Sequence, residues 1–196
     1  MRKYALLITV GIFGVALSGF AEETKNLIYN PGFEQGSPSW SGINGRAALD
    51  YDMSHQGMMS VKFNVSDAGK GHCITTSTTV NTGKQYRLSC YIKIDTPIDG
   101  KGFSIKVLQH NPNGAIAWWP HGGNGQDFFV TKEATKGWVK KEMIIDGFHP
   151  ATTYAKLYIY LHGKGIVNVD DVSLEEIKMV ETLVDDLKVL TLEDDK

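Results

Sequence analysis

The chain has 196 residues, with 20 Lys and Arg against 22 Asp and Glu, and two cysteines. Two basic residues stand at Arg2 and Lys3, and three lysines with eight acids fall between Glu175 and Lys196, so the remaining body holds 15 basic against 14 acidic side chains. That balance gives no electrostatic reason to bind nucleic acid or an anionic membrane, and it points to an uncharged or weakly charged ligand.

Residues 1–21 read as a secretory signal peptide. Arg2 and Lys3 precede an apolar run from Ala5 to Leu17, and Gly19-Phe20-Ala21 puts small residues at the cleavage point. The run is short for a membrane span, and no cysteine follows it to carry a lipid. The expected location is therefore secreted, periplasmic or extracellular. Residues 22–176 then suit one domain with one core, and 177–196 form an acidic tail.

The body reads as strand after strand. Expected strands are Asn26–Tyr29, Ala47–Asp52, Met58–Val65, His72–Val80, Gln85–Ile94, Phe103–Gln109, Asp127–Thr131, Val139–Ile145, Tyr154–Leu161 and Ile166–Leu174. Turn residues separate them, among them Asn30-Pro31-Gly32, Asn81-Thr82-Gly83, Asp99-Gly100 and a turn at His162-Gly163-Lys164-Gly165. Many short strands without a helical period predict an all-β, two-sheet antiparallel sandwich. In the tail, Ile177, Val180, Val184 and Leu187 recur at helical spacing, which suits a solvated helix or a linker, with a partner contact as the alternative.

Ile166–Leu174 carries an anomaly. Alternation puts Val167 and Val169 on one face and Asn168, Asp170, Val172 and Leu174 on the other. A carboxylate beside core residues needs hydrogen bonds or a cation. The stretch Asn26 to Glu34, Asn-Leu-Ile-Tyr-Asn-Pro-Gly-Phe-Glu, is a matching anomaly at the mature start. We read the two as one site where first and last strands meet.

Two places carry aromatic groups suited to a sugar. The polar stretch from His110 to Gly125 holds adjacent Trp118 and Trp119, with Gln109, His110 and His121 as hydrogen-bonding candidates. Indole faces stack on the C–H patches of a pyranose, and amides and imidazoles bond its hydroxyls. Period-2 reading also sends Tyr91, Tyr158 and Tyr160 outward from their strands. That is compatible with a sugar-binding sheet face, and equally with ordinary cross-strand packing. Cys73 and Cys90 could form a disulfide in an oxidising compartment or stay as separate buried thiols. There is no His-x-x-x-His pair, no two-Cys motif and no Gly-x-Ser-x-Gly elbow.

Several motifs in order resemble a carbohydrate-binding module of the family 4/9 type, a jelly roll of galactose-binding-like architecture. They are Asn26 to Glu34 followed by Trp40, His55 to Phe63, Gly83 to Lys93, Gly137 to Lys141, and Val169 to Leu174. The resemblance covers nearly all of residues 26–174. It implies non-catalytic recognition of a poly- or oligosaccharide, with Trp138 and Trp40 as packing residues. It also implies a structural calcium near Gly32, Glu34 and Asp170, which the residues themselves suit because calcium takes carboxylate and carbonyl oxygens. Capping of backbone amides by Glu34 and Asp170 is the alternative. The competing functions are a small enzyme acting on glycosyl bonds on the same fold, and an adhesion or protein-interaction module.

Overall fold

The computed structural model of the chain describes residues 24–116 and 126–177. The predicted signal peptide, Trp118, Trp119, His121 and all of the predicted tail beyond Ile177 lie outside these residues. Every regular element among the described residues is a strand, and every pairing is antiparallel. In chain order the strands are β1 (Ala47–Asp50), β2 (Ser60–Val65), β3 (Gly71–Thr79), β4 (Gln85–Ile94), β5 (Asp99–Asn111), β6 (Gly114–Ile116), β7 (Gln126–Thr131), β8 (Val139–Ile145) and β9 (Tyr154–Ile177). Sheet A runs β1-β2-β9-β4-β8, and sheet B places β9 between β3 and β5, with β6 and β7 on the far side of β5. The fold is the expected all-β jelly-roll sandwich.

The long strand β9 belongs to both sheets. Its first half, Tyr154 to His162, pairs with β3 and β5, and its second half, Gly165 to Ile177, pairs with β2 and β4. The His162–Gly165 segment, predicted as a turn, is therefore strand. The glycine that looks like a turn signal serves a close approach instead. Gly163 has φ +119, and a Cβ there would collide with Asp99 O and lie 2.7 Å from Gly100 Cα. Two backbones meet at this point as β9 leaves one sheet for the other, and a side chain would hold them apart.

Other predicted strands shift in extent. β4 and β8 match, and β5 reaches Asn111, beyond its predicted end at Gln109. Asn26–Tyr29 makes only an isolated bridge from Asn26 to Glu175. The Asn26 side chain takes over the bonding there: its amide donates to Val172 O at 3.0 Å, and its Oδ1 accepts from Ile28 N and Leu174 N, each at 3.0 Å. A short polar side chain that bonds backbone groups competes with a ladder. The short strand β6 arises inside a stretch predicted as loop.

Between the sheets, Phe63, Val61, Leu88, Cys90 and Ile92 of sheet A face Phe103, Ile105, Leu157, Ile159 and Ile74 of sheet B, all fully buried. The carboxylate anomaly of the last stretch resolves here. The β4–β9 register slips between Ser89 and Tyr91, and Asp171 sits at φ +46. This bulge inserts one residue and reverses the phase of alternation. Val167, Val169, Val172 and Leu174 thus all reach the core, and Asn168 and Asp170 turn to the outer side. The predicted shared face of Asp170 with Val172 and Leu174 is corrected by that one inserted residue.

Candidate functional site

Two centres stand out, one on each sheet. On sheet A, Asp170 faces outward yet is fully buried, because the segments 30–34 and 51–59 fold over it. Its Oδ2 accepts from His55 N at 2.7 Å and Gln56 N at 3.4 Å, and its Oδ1 from Asp171 N at 2.8 Å. Burial, then the neighbouring Asp171, push its carboxyl up to about 6, against the pull of the amides. Glu34 is exposed, and its Oε1 accepts from Met58 N and Met59 N, both at 2.9 Å. Gly32 lies between the acids: a Cβ there would sit 3.3 Å from Asp171 Oδ1 and 3.5 Å from Asp170 Oδ1.

The backbone around this centre is constrained. Asn30, Phe33 and Asp171 all have positive φ, at 51, 61 and 46 degrees. Asn30 fixes its turn by donating to Gly36 O, accepting from Gln35 N, and taking the Trp40 indole N–H on its carbonyl at 3.0 Å. Trp40 is buried beside Phe33, as expected for a packing residue. On the other flank the His55 ring lies on Tyr91, with centroids 3.5 Å apart, and its Nδ1 is 2.6 Å from Asp171 Oδ2. Trp138 meets the edge of His55 at 5.9 Å and is only half-buried, so it covers the outside of sheet A and is not the core residue predicted.

The predicted metal residues Gly32, Glu34 and Asp170 thus come together. Their carboxylates cap backbone amides, and among the described residues no group of three His, Cys, Asp or Glu side chains is arranged to hold a metal. The donor set still fits a hard cation. Glu34, Asp170 and Asp171 offer only oxygens, and the contacts of the buried Asp170 carboxylate among the described residues are backbone N–H groups. An open hollow of about 440 Å³ lined by Asn30, Gly32, Glu34, Gly57 and Asp171 gives access.

On sheet B, the outward residues of β9 form a row. Tyr158 and Tyr160 are stacked at 5.9 Å and 7°, Tyr160 and His162 at 4.7 Å and 21°, and Lys156 Nζ lies 5.2 Å from the Tyr158 centroid. At the start of the row His110 stacks on Tyr154 at 4.9 Å. Burial, then Lys156, hold the His110 imidazole below its usual pKa, and its buried Nε2 has no hydrogen-bond partner. Beside the other end a cleft of about 300 Å³ opens between Lys101, Ser104, Lys106, Tyr160 and His162.

The predicted sugar-facing set divides. Tyr158, Tyr160 and His110 share this face, and Tyr91 lies on the outer side of the other sheet, under His55. Alternation within each strand was correct, but the strands belong to opposite layers. Gln109 points into the core, where its Oε1 accepts from His149 N at 2.6 Å and Thr152 Oγ1 at 2.8 Å. It is a bracket for the 146–153 connection and does not reach a surface ligand. Gln109→Leu is expected to cost about 1–3 kcal/mol by stranding those donors, read as a lower melting temperature with glycan affinity retained. Cys73 and Cys90 are free thiols, Cys73 opposite Tyr160 in sheet B and Cys90 buried in sheet A opposite Lys141. The predicted option of a bridge is therefore not taken up, and burial pushes the Cys90 thiol up to about 12. Lys101, Lys106, Lys156 and His162 were missed. Only the pairing of β5 beside β9 brings them together.

The family model of the carbohydrate binding domain, of the CBM 4/9 group, matches residues 25–170. The chain belongs to this carbohydrate-binding family. A carbohydrate-binding role follows from that membership. No curated protein matches the domain. Solved structures share its fold at low identity. The enzymatically active domain of bacteriophage CBA120 tailspike protein 4 aligns with a TM-score of 0.58 and 14% identity over 78% of this chain, which spans only 21% of that protein. The TmCBM61 structure in complex with beta-1,4-galactotriose aligns at 0.55 and 19%, covering 79% of this chain and 100% of that one. The CBM22-1 xylan-binding domain from Paenibacillus barcinonensis Xyn10C aligns at 0.57 and 16%, covering 81% and 99%.

Proposed function

We propose that this carbohydrate-binding domain works outside the cytoplasm, where it recognises a poly- or oligosaccharide without cleaving it and uses the outer face of sheet B as its ligand surface. The observation that carries the reading is the row Tyr158–Tyr160–His162 on an outward sheet face that ends in an open cleft. A row of hydroxyl and imidazole edges on a rigid strand supplies hydrogen-bonding groups at fixed spacing, and sheet scaffolds hold such groups more firmly than loops do. Stacking on a pyranose ring falls to Trp118 or Trp119, whose segment joins β6 to β7, both paired to β5 of the same sheet. We further assign a structural calcium to the centre at Gly32, Glu34, Asp170 and Asp171. It would neutralise the buried charge and tie the first described segment to the last strand.

Binding is tested by a glycan array followed by calorimetry on the wild type and on Tyr158→Ala, Tyr160→Ala, Trp118→Ala and Trp119→Ala. Loss of one ligand-contacting ring is expected to cost about 1–3 kcal/mol, or about tenfold in affinity. Full affinity in all four variants would move the site off sheet B. An array on which the wild type binds nothing would refute carbohydrate recognition, and release of reducing ends from a bound glycan would refute the non-catalytic reading.

A further inference from the structure

At one end of the sandwich the polar side chains stop pairing with one another. Across the outer side of sheet A they do pair: Asn168 bonds Asp50 and Ser60, Lys93 bonds Asp95, and Lys140 bonds Glu142. Where β9 enters this sheet, around Gly165, the end of β2 and the connection from β4 to β5 flank it and leave a hollow of about 420 Å³. Asn64, Ser66, Thr96, Asp99 and Lys164 line the hollow, all of them exposed. Among the described residues, none of these side chains makes a hydrogen bond or an ion pair.

The walls of the hollow are fixed by backbone bonds and core contacts. Asn64 N donates to Arg46 O at 2.8 Å, which holds the β2 side. On the other side Thr135 N donates to Ile94 O and Ile98 N to Lys132 O, both at 2.8 Å, so the chain is pinned before and after Thr96 and Pro97. Ile98 is buried, and Gly165 makes room for it: a Cβ there would lie 3.1 Å from Ile98 Cγ1. Alternation does the rest. Val65, opposite Gly165, points into the core, and Asn64, opposite Ile166, points out. The polar groups are thus held on a frame that is already assembled.

The chemistry of the set suits a neutral polyol. The amide and the two hydroxyls each donate and accept, the carboxylate only accepts, and the ammonium only donates. Sugar hydroxyls do both, so each of these groups can find a partner on one ring. Asp99 and Lys164 stand opposite in the register of β5 and β9, and their charges cancel, which leaves no preference for an ion. Pro97 and the half-buried Ile166 add an apolar strip for the C–H edge of the ring. The volume is within the range of ligand sites. Among the described residues no aromatic ring lines the hollow, so affinity rests on hydrogen bonds and stays below that of a stacked site.

We propose that this hollow is a second sugar site, for one neutral residue of a glycan, on the opposite side of the sandwich from the Tyr158–Tyr160 face. The proposal rests on the carbohydrate reading of the domain and adds a site to it. Two sites that face apart meet neighbouring glycan chains. On a polysaccharide matrix the second contact becomes intramolecular once the first is made, so a weak site adds retention out of proportion to its own affinity.

The test is a residue-resolved NMR titration of the chain with cellotriose, xylotriose and laminaritriose. Saturable shifts are expected at the backbone amides of Asn64, Val65, Ser66, Lys164 and Gly165 with at least one of them, with a dissociation constant on the order of 1 mM. Asn64→Ala and Asp99→Asn, both at exposed positions away from the core, should each weaken this site about tenfold and leave the shifts along Tyr154–His162 in place. Shifts confined to sheet B, or shifts at the hollow that both variants retain at full affinity, overturn the second site and leave carbohydrate recognition standing. No shift on either face also overturns the second site, and the glycan array then decides the carbohydrate reading by itself.

Discussion

Asp170→Ala is expected to destabilise the domain by about 3–5 kcal/mol, because it strands several buried backbone N–H groups at once. His55 N, Gln56 N and Asp171 N all donate to this one carboxylate, so its loss frees the 51–59 segment from sheet A. The Tyr91 ring and the half-buried Trp138 would then lose the His55 cover between them. Chemical denaturation of wild type and variant measures the difference, and a loss below about 1 kcal/mol would mean that water replaces the carboxylate without penalty.

The same residue sets a pH dependence with a definite sign. Its folded-state value, about 6, lies above the ordinary 3.8. A group raised on folding contributes stability that is present below its unfolded value and lost as pH rises through the folded one. Without metal, Asp170 therefore favours folding below pH 3.8 and ceases to do so through about pH 6. Asp170→Asn, which cannot titrate, isolates this contribution from that of Asp50 and Glu175, whose carboxyls are held low. The proposed calcium requires the ionised carboxylate, so chelation should matter at neutral pH and fade near pH 4.5. With calcium at about 100 times its dissociation constant, removing it costs about 2.7 kcal/mol. That corresponds to roughly 5–10 °C in melting temperature for a chain of this size. An unchanged melting curve in EDTA at neutral pH, with no calcium by elemental analysis, would leave amide capping as the whole role of the centre.

Gly163→Ala is the second large effect, expected at about 3 kcal/mol or more because backbone, not a flexible side chain, occupies the space. The added methyl would collide with Asp99 O and approach Gly100 Cα at 2.7 Å, at a φ of +119 that alanine resists. Relief requires β5 and β9 to separate where β9 crosses between sheets, so the penalty extends to the whole β5–β9 seam. Gly83→Ala provides the comparison. Its φ is +80, but nothing lies within 4 Å of the added carbon, so only the backbone term of about 1 kcal/mol remains. Thermal unfolding of both variants separates the two causes, and equal losses would show that φ strain alone controls Gly163.

Much of the strand set was legible because alternation is a local property. In Gln85–Ile94, the residues Leu88, Cys90, Ile92 and Ile94 read as inward, and they are fully buried. The same rule placed Tyr158 and Tyr160 outward. It could not say that Tyr91 belongs to a different sheet, because pairing is a relation between distant segments. Asp170 was recognisable as costly from its neighbours alone. The bulge at Asp171 that turns it away from Val172 shows in the sequence only as the three-residue step from Val169 to Val172, which a strict period-two reading passes over.

The amino-acid sequence by itself determined the class of fold, the convergence of Glu34 and Asp170, and membership of a carbohydrate-binding family, because each rests on short motifs whose chemistry is local. Tertiary structure alone decided that the glycines at His162–Gly165 join two sheets instead of ending a strand, since their purpose is the space taken by β5. It alone placed Gln109 inward as a bracket for His149 and Thr152, 40 residues and more away. It also brought Lys101, Lys106 and His162 around one cleft, because register between β5 and β9, and not spacing along either strand, sets which side chains stand together.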